Sequence, residues 1–139
     1  MNSQKLLFDA SSLIYALKLH KIEVLYDNYI QELTLHEVVN AIWKEVSLIK
    51  SIDHDEATKL IKVLSNIVNY MKILSIHPYE QEVLENALKL NLTAYDTSYI
   101  ILAKKHNLIL VTEDSKLRNR ARNIIKTTNL KELLTNIHL

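Results

Sequence analysis

The chain of 139 residues is about one domain long, and a hydrophobic content of 48% is enough for a single core. Seventeen basic and sixteen acidic residues leave a formal charge of +1, so any surface for nucleic acid has to be local and not a global field. The absence of Cys excludes disulfides, thiol catalysis and thiolate zinc sites, and the absence of Gly excludes the phosphate-cradling loops of dinucleotide-binding and P-loop proteins.

Residues 5–8 read as a short strand, so the N-terminus enters a fold and not a signal peptide, and no apolar run is long enough to span a membrane. A single cytoplasmic domain over 1–139 is the expectation. Asp9 follows that first strand, with Ser11 and Ser12 opening a helix to about Leu17. Residues 22–33 are ambiguous, although Tyr29, Ile30 and Leu33 allow a second strand. From Leu35 the apolar set Val38, Val39, Ile42, Trp43, Val46 and Ile49 keeps a helical period, with Glu37 in the first turn. Asp53 and Glu56 resemble a capping box ahead of a second helix, whose stripe is Ala57, Leu60, Ile61, Leu64, Ile67, Val68 and Met71. The two helices are expected to pack as a hairpin. Lys72–Ile76 reads as a third strand, and the only proline, Pro78, suits the start of a helix running to about Leu90.

The stretch at 92–117 then reads as a helix bearing Asp96, a stop at Asn107, a buried strand Leu108–Val111 and Asp114 just beyond it. Tyr99, Ile100 and Ala103 mark one apolar face of that helix, and Asn is the best left-handed cap open to a glycine-free chain. A short helix from Ser115 to about Arg122, an edge strand at Ile124–Thr127 and a terminal helix at Asn129–Ile137 complete the order. Alternating strands and helices predict the α/β class, with a central parallel sheet of four to five strands covered on both faces in a three-layer α/β/α sandwich.

Each acid has an ordinary structural reading. Asp9 and Asp114 suit helix N-caps, Glu37 a first turn, and Thr93-x-x-Asp96 has capping-box spacing. The joint pattern asks for more. All four belong to the edge of a parallel sheet where ligands collect, and four carboxylates in one cleft stay ionised together only around a cation. Oxygen-only ligands select a hard metal such as Mg²⁺ or Mn²⁺.

The segments LLFDASSLIYAL, LTLHEVVNAIW and LTAYDTSYIILAKKHNLILVTEDSKL resemble the three signature blocks of PIN-domain ribonucleases, especially the VapC type of toxin nuclease. The blocks stand in the family's order and take in nearly the whole chain. The resemblance implies that Asp9, Glu37, Asp96 and Asp114 form the metal-binding and catalytic set, with support from Asn40 and Thr112. It implies a Mg²⁺- or Mn²⁺-dependent endoribonuclease that leaves 3′-hydroxyl and 5′-phosphate ends, a homodimer, and an antitoxin partner that covers the acidic cleft. The chain departs from the family pattern at His106-Asn107, where Gly or Pro is common, and after Asp114, where some members carry another acid.

Lys116, Arg118, Arg120, Arg122 and Lys126 cluster after Asp114, either as a solvated face or as a phosphate track for an RNA substrate. His36-Glu37-Val38-Val39-Asn40 falls one residue short of a zinc-protease helix, since Asn40 stands where the second His belongs. His20, His54, His77, His106 and His138 have no ligand spacing. A phosphoacceptor receiver domain needs adjacent acids after the first strand, and Ala10 follows Asp9. A PIN nuclease of RNA processing without an antitoxin, and a non-catalytic PIN-like interaction module, are the remaining alternatives.

Overall fold

The computed structural model describes residues 4–137; His138 lies outside them. Five strands, β1 (Leu6–Phe8), β2 (Tyr29–Gln31), β3 (Lys72–Leu74), β4 (Ile109–Val111) and β5 (Thr127–Thr128), pair in parallel in the order β3-β2-β1-β4-β5. β1 is central, with Leu6, Leu7 and Phe8 in register with Ile109, Leu110 and Val111. The central strands β1 and β4 carry no polar alternation because helices cover both of their faces, whereas the edge strand β3 is exposed at Lys72 and Ile73.

One layer holds α1 (Ala10–Lys18), α2 (Glu32–Lys44), α3 (His54–Val68) and α7 (Leu130–Ile137), and the other holds α4 (Glu80–Leu90), α5 (Ala94–His106) and α6 (Ser115–Ala121). The pleat divides the strands between two cores. Phe8, Ile30 and Val111 face Leu13, Val38, Leu64 and Leu130. Leu7 and Leu110 face Tyr99, Leu102 and Leu117. The chain runs outward from β1 to β2 and β3, then crosses back to β4 on the other side of β1. The carboxyl ends of β1 and β4 therefore flank the topological switch point.

Several boundaries differ from the sequence reading. α2 begins at Glu32, so Leu33 belongs to a helix and not to β2, and Glu37 sits in the second turn. The helix gives way to a π-helical turn at Glu45–Ile49, and Val39, Trp43 and Ile49 of its apolar set are exposed. β3 ends at Leu74, two residues early. Ile124 and Ile125 pack into the second core as a turn, which moves β5 to Thr127–Thr128. α5 is buried on every side from Thr97 through Ala103 and has no single apolar face. The stripe of α3 packs against α2 and α1 as expected.

Without glycine, the left-handed positions fall to His20, Asp27, Lys50, Asn91 and Asn107. Asn91 and Asn107 end α4 and α5, and asparagine tolerates that region best. Lys50, at φ 59, follows the π-helical turn with its side chain exposed. A Cβ in this region costs about 1–2 kcal/mol, of which glycine's extra unfolded-state freedom offsets roughly 0.5–1 kcal/mol. Lys50→Gly is expected to stabilise the protein by about 0.5–1 kcal/mol, read as a raised urea midpoint at unchanged slope.

Candidate active site

Asp9 follows β1 directly and caps α1. Its carboxylate is buried, and Oδ1 accepts hydrogen bonds from Ser11 Oγ at 2.7 Å and from the Ser12 amide at 3.0 Å. Oδ2 accepts from the Thr112 hydroxyl. Ser12 Oγ has one proton, best used on the Val111 carbonyl at 2.7 Å. The same hydroxyls that serve Asp9 also accept. Ser11 Oγ takes the Glu113 amide at 3.0 Å, and Thr112 Oγ1 takes the Asp114 amide at 3.1 Å. Asp9 thereby fixes the turn that carries Asp114, and one lone pair of its Oδ2 is left for another ligand.

Asp114 caps α6 through Oδ1, which accepts the Lys116 and Leu117 amides at 3.0 and 3.2 Å. Asp96 lies in the first turn of α5, where the Thr93 side chain accepts its amide at 3.1 Å. Burial raises the Asp96 pKa, and the charges of Asp114 and Asp9 raise it further; the Thr93 hydroxyl and the Lys116 charge offset part of this. Three of the four acids thus act on one another.

Glu37 joins them from the opposite layer. Its Oε1 accepts from the Tyr99 hydroxyl at 2.6 Å, and Tyr99 Oη lies 2.8 Å from Thr34 Oγ1. Thr34 Oγ1 in turn accepts from the Gln31 amide at 3.2 Å. An ionised Glu37 can only accept, so the chain has one direction: Gln31 N–H to Thr34, Thr34 O–H to Tyr99, and Tyr99 O–H to Glu37. Burial and the adjacent carboxylate push the Tyr99 phenol far above its usual range, which keeps it a donor. Burial raises the Glu37 pKa, the Tyr99 bond lowers it, and the charges of Asp9 and Asp96 raise it again. A parallel strut joins Gln31 Nε2 to Ser98 Oγ at 2.7 Å, and Ser98 Oγ to the Tyr95 carbonyl at 2.5 Å.

All oxygen donors suit a hard divalent cation, and Glu37 and Asp96 are raised first by burial and then by the charges of neighbouring acids. Among the described residues no three Asp, Glu or His side chains close around one point as a ligand set. A cation held by such open carboxylates would keep part of its water shell, as Mg²⁺ commonly does.

The remaining expected residues differ in placement. Thr112 sits between Asp9 and Asp114. Asn40 is exposed one turn beyond Glu37, beside the shallow cleft lined by Val39 and Trp43. Arg118 donates to the Thr112 carbonyl at 2.6 Å and Arg120 to the Leu90 carbonyl, so both support the fold. Lys116 is exposed near Asp96, and Arg122 turns away toward Lys126. The sequence reading missed Tyr99, Thr34 and Gln31 as polar parts of the site. The available signals were the Thr34-x-x-Glu37 and Asp96-x-x-Tyr99 spacings, each placing two side chains on one helix face.

Tyr99→Phe strands a buried Thr34 hydroxyl and one side of Glu37, and is expected to cost about 1–3 kcal/mol in chemical denaturation. Asp96→Asn is expected to act oppositely on metal-free protein. A carboxyl whose folded pKa lies above its unfolded value makes stability fall as pH rises between the two, because the folded state binds the extra proton. The variant should therefore melt above wild type at neutral pH, with the gap closing on acidification toward the ordinary carboxylate range. Thermal unfolding of the two proteins across pH checks both the sign and the window.

The PIN domain family model matches residues 6–123, a span that contains all four acids. The chain is 35% identical over 132 residues to exonuclease VapC9 of Pyrobaculum aerophilum, covering 89% of this chain and 91% of that protein. It is 34% identical over 95 residues to ribonuclease VapC3 of the same organism, covering 64% and 67%. The crystal structure of PAE2754 from Pyrobaculum aerophilum superposes with a TM-score of 0.80 at 28% identity over 97% of both chains. A PilT N-terminus domain protein, SSO1118 from Sulfolobus solfataricus P2, shares the fold at a TM-score of 0.54 and 16% identity, covering 94% of this chain and 91% of that one. By the extent of these matches, the chain belongs to the PIN-domain family, among proteins of the VapC type.

Proposed function

We propose that the chain is an endoribonuclease that hydrolyses RNA phosphodiester bonds with a divalent cation, Mg²⁺ or Mn²⁺, at Asp9, Glu37, Asp96 and Asp114, and that it is the toxin of a toxin–antitoxin pair. The observation that supports this reading most is the hydrogen-bonded link from the buried Asp9 through Thr112 to the turn of Asp114 at the switch point of the sheet, beside Glu37 and Asp96, whose pKa values are raised first by burial and then by neighbouring acids. A bound cation supplies Lewis acidity at the phosphoryl oxygens and a water nucleophile at neutral pH.

The chain's own residues do the rest. Asp9, held by Ser11, Ser12 and Thr112, offers its remaining Oδ2 lone pair without reorganising, and Asp96 and Asp114 supply the facing oxygens. Glu37, braced at one oxygen by Tyr99, keeps the other free to orient a water and take its proton. Exposure of Asp114 leaves the cleft open on the solvent side, which supports cutting within a strand over processing from an end. Both relatives' names support a nuclease and that of ribonuclease VapC3 supports RNA as substrate, whereas exonuclease VapC9 names cutting from an end, the alternative that a circular substrate separates. Exposed apolar side chains, Val39 and Trp43 on α2 and Leu84 and Leu88 on α4, support protein partners, here a second copy and an antitoxin. No helix among the described residues is long and apolar enough to cross a membrane.

The test is cleavage of linear and circular RNAs with Mn²⁺, Mg²⁺ or EDTA. Wild type is expected to cut the circle with either metal, and Asp9→Asn and Asp96→Asn to lose at least about 10²-fold in rate, the scale of removing one preorganised electrostatic group. Cutting confined to linear RNA makes the enzyme an exonuclease. Cutting that survives EDTA or both substitutions sinks the proposed site. Mn²⁺ at a hundredfold excess over its Kd should stabilise wild type by about 2.7 kcal/mol and the Asp96→Asn variant by much less.

A further inference from the structure

A cleft of about 500 Å³ opens at the amino edge of the sheet, opposite the acids. Three segments build it: Gln4 ahead of β1, Lys104 and Asn107 at the end of α5, and Arg122 through Lys126 between α6 and β5. Lys104, Arg122 and Lys126 surround it, and no carboxylate lines it. Among the described residues none of these three cations forms an ion pair, although the adjacent Lys105 pairs with Glu82 at 2.8 Å. The carbonyl end of α5 accounts for Lys104 alone. Arg122 and Lys126 come from a separate segment and also line an adjoining groove that contains Glu132 of α7, whose Oε2 lies 3.3 Å from the Thr128 hydroxyl. Ile124 and Ile125 give the cleft an apolar floor, and the amides of Gln4, Asn107 and Asn123 provide donors and acceptors.

Unpaired cations, amides and an apolar floor fit a phosphodiester strand with an unstacked base. Lys104 lies eight residues beyond Asp96 on α5, about 12 Å along the helix axis. At about 3.4 Å per stacked nucleotide that separation sets a minimum of roughly four nucleotides, because α5 is buried and a strand has to pass over the surface. Exposed Lys116 and Arg122 stand at the two ends of α6, the first near Asp96 and the second in the cleft.

We propose that this cleft is an exosite for the RNA backbone, holding phosphates four or more nucleotides from the bond that is cut, without reading sequence. The assignment rests on the ribonuclease reading above. It makes the enzyme discriminate by strand length, since a fragment shorter than the span reaches one site only.

The experiment measures fluorescence anisotropy of labelled RNAs of 3, 8 and 16 nucleotides in EDTA, over a range of salt. Wild type is expected to gain at least about tenfold in affinity between 3 and 16 nucleotides. The Lys104→Gln/Arg122→Gln/Lys126→Gln variant should lose that gain, with its salt slope smaller by about 2, from roughly 0.7 per phosphate contact. The charge-keeping Arg122→Lys/Lys126→Arg variant should retain it. An undiminished length gain in the glutamine variant overturns the exosite, as does an equal loss at 3 and 16 nucleotides, the behaviour of a diffuse field. Wild type that binds no RNA of any length also overturns it. Metal-dependent cleavage that Asp9→Asn abolishes would still leave the ribonuclease reading standing in that case.

Discussion

The buried carboxylate of Asp9 is the constraint on which the site's geometry depends. A carboxylate below the surface next to other carboxylates is tolerable only when donors surround it, and the Ser11 and Thr112 hydroxyls and the Ser12 amide do so. Those hydroxyls hold the amides of Glu113 and Asp114, and Glu113 reaches on to accept the Leu130 amide at 2.9 Å. One ionised group therefore ties β1 to the turn after β4 and, through it, to the start of α7. The central strand pair sets the backbone, and Asp9 converts that register into the placement of side chains.

Charge is distributed across the sheet unevenly, and the near-neutral total conceals it. The carboxyl edge gathers Asp9, Glu37, Asp96 and Asp114, while the amino edge gathers Lys104, Arg122 and Lys126. The long axis of α5 spans the two, with Asp96 in its first turn and Lys104, Lys105 and His106 in its last. Both ends follow the preference of the helix dipole. What favours the helix also separates the charges, so the two edges of the sheet differ in sign.

Much of this was legible in the sequence, for identifiable reasons. β4 and α5 were legible because a short apolar run and a long helix flank an asparagine stop, and a glycine-free chain has few other ways to make that stop. Asp9, Asp96 and Asp114 were legible as positions because strand ends and helix starts locate them to within a residue. Glu37 was misplaced by one turn because Gln31, a weak capping residue, starts α2 while Leu33 imitates a strand. Tyr99 read as part of an apolar face because periodicity measures burial and is blind to a hydroxyl at the end of a buried ring. The basic cluster read as one track along the sequence. The end of α6 divides it in space, sending Arg118 and Arg120 to carbonyls and Arg122 and Lys126 to the far edge.

The absence of glycine has a thermal consequence. An average chain of this length carries about ten glycines, each of which gives up roughly 0.4–1 kcal/mol more conformational entropy on folding than alanine. Against that saving stand, among the described residues, five left-handed ones at about 1–2 kcal/mol each, with asparagine and aspartate at the low end. The two sums nearly cancel at ordinary temperature, but they differ in kind. Backbone strain is largely enthalpic and changes little on heating, whereas the entropy saved grows in proportion to absolute temperature. Exchanging glycines for strained turns thus leaves stability about level in the cold and tilts it toward the folded state as the solution warms.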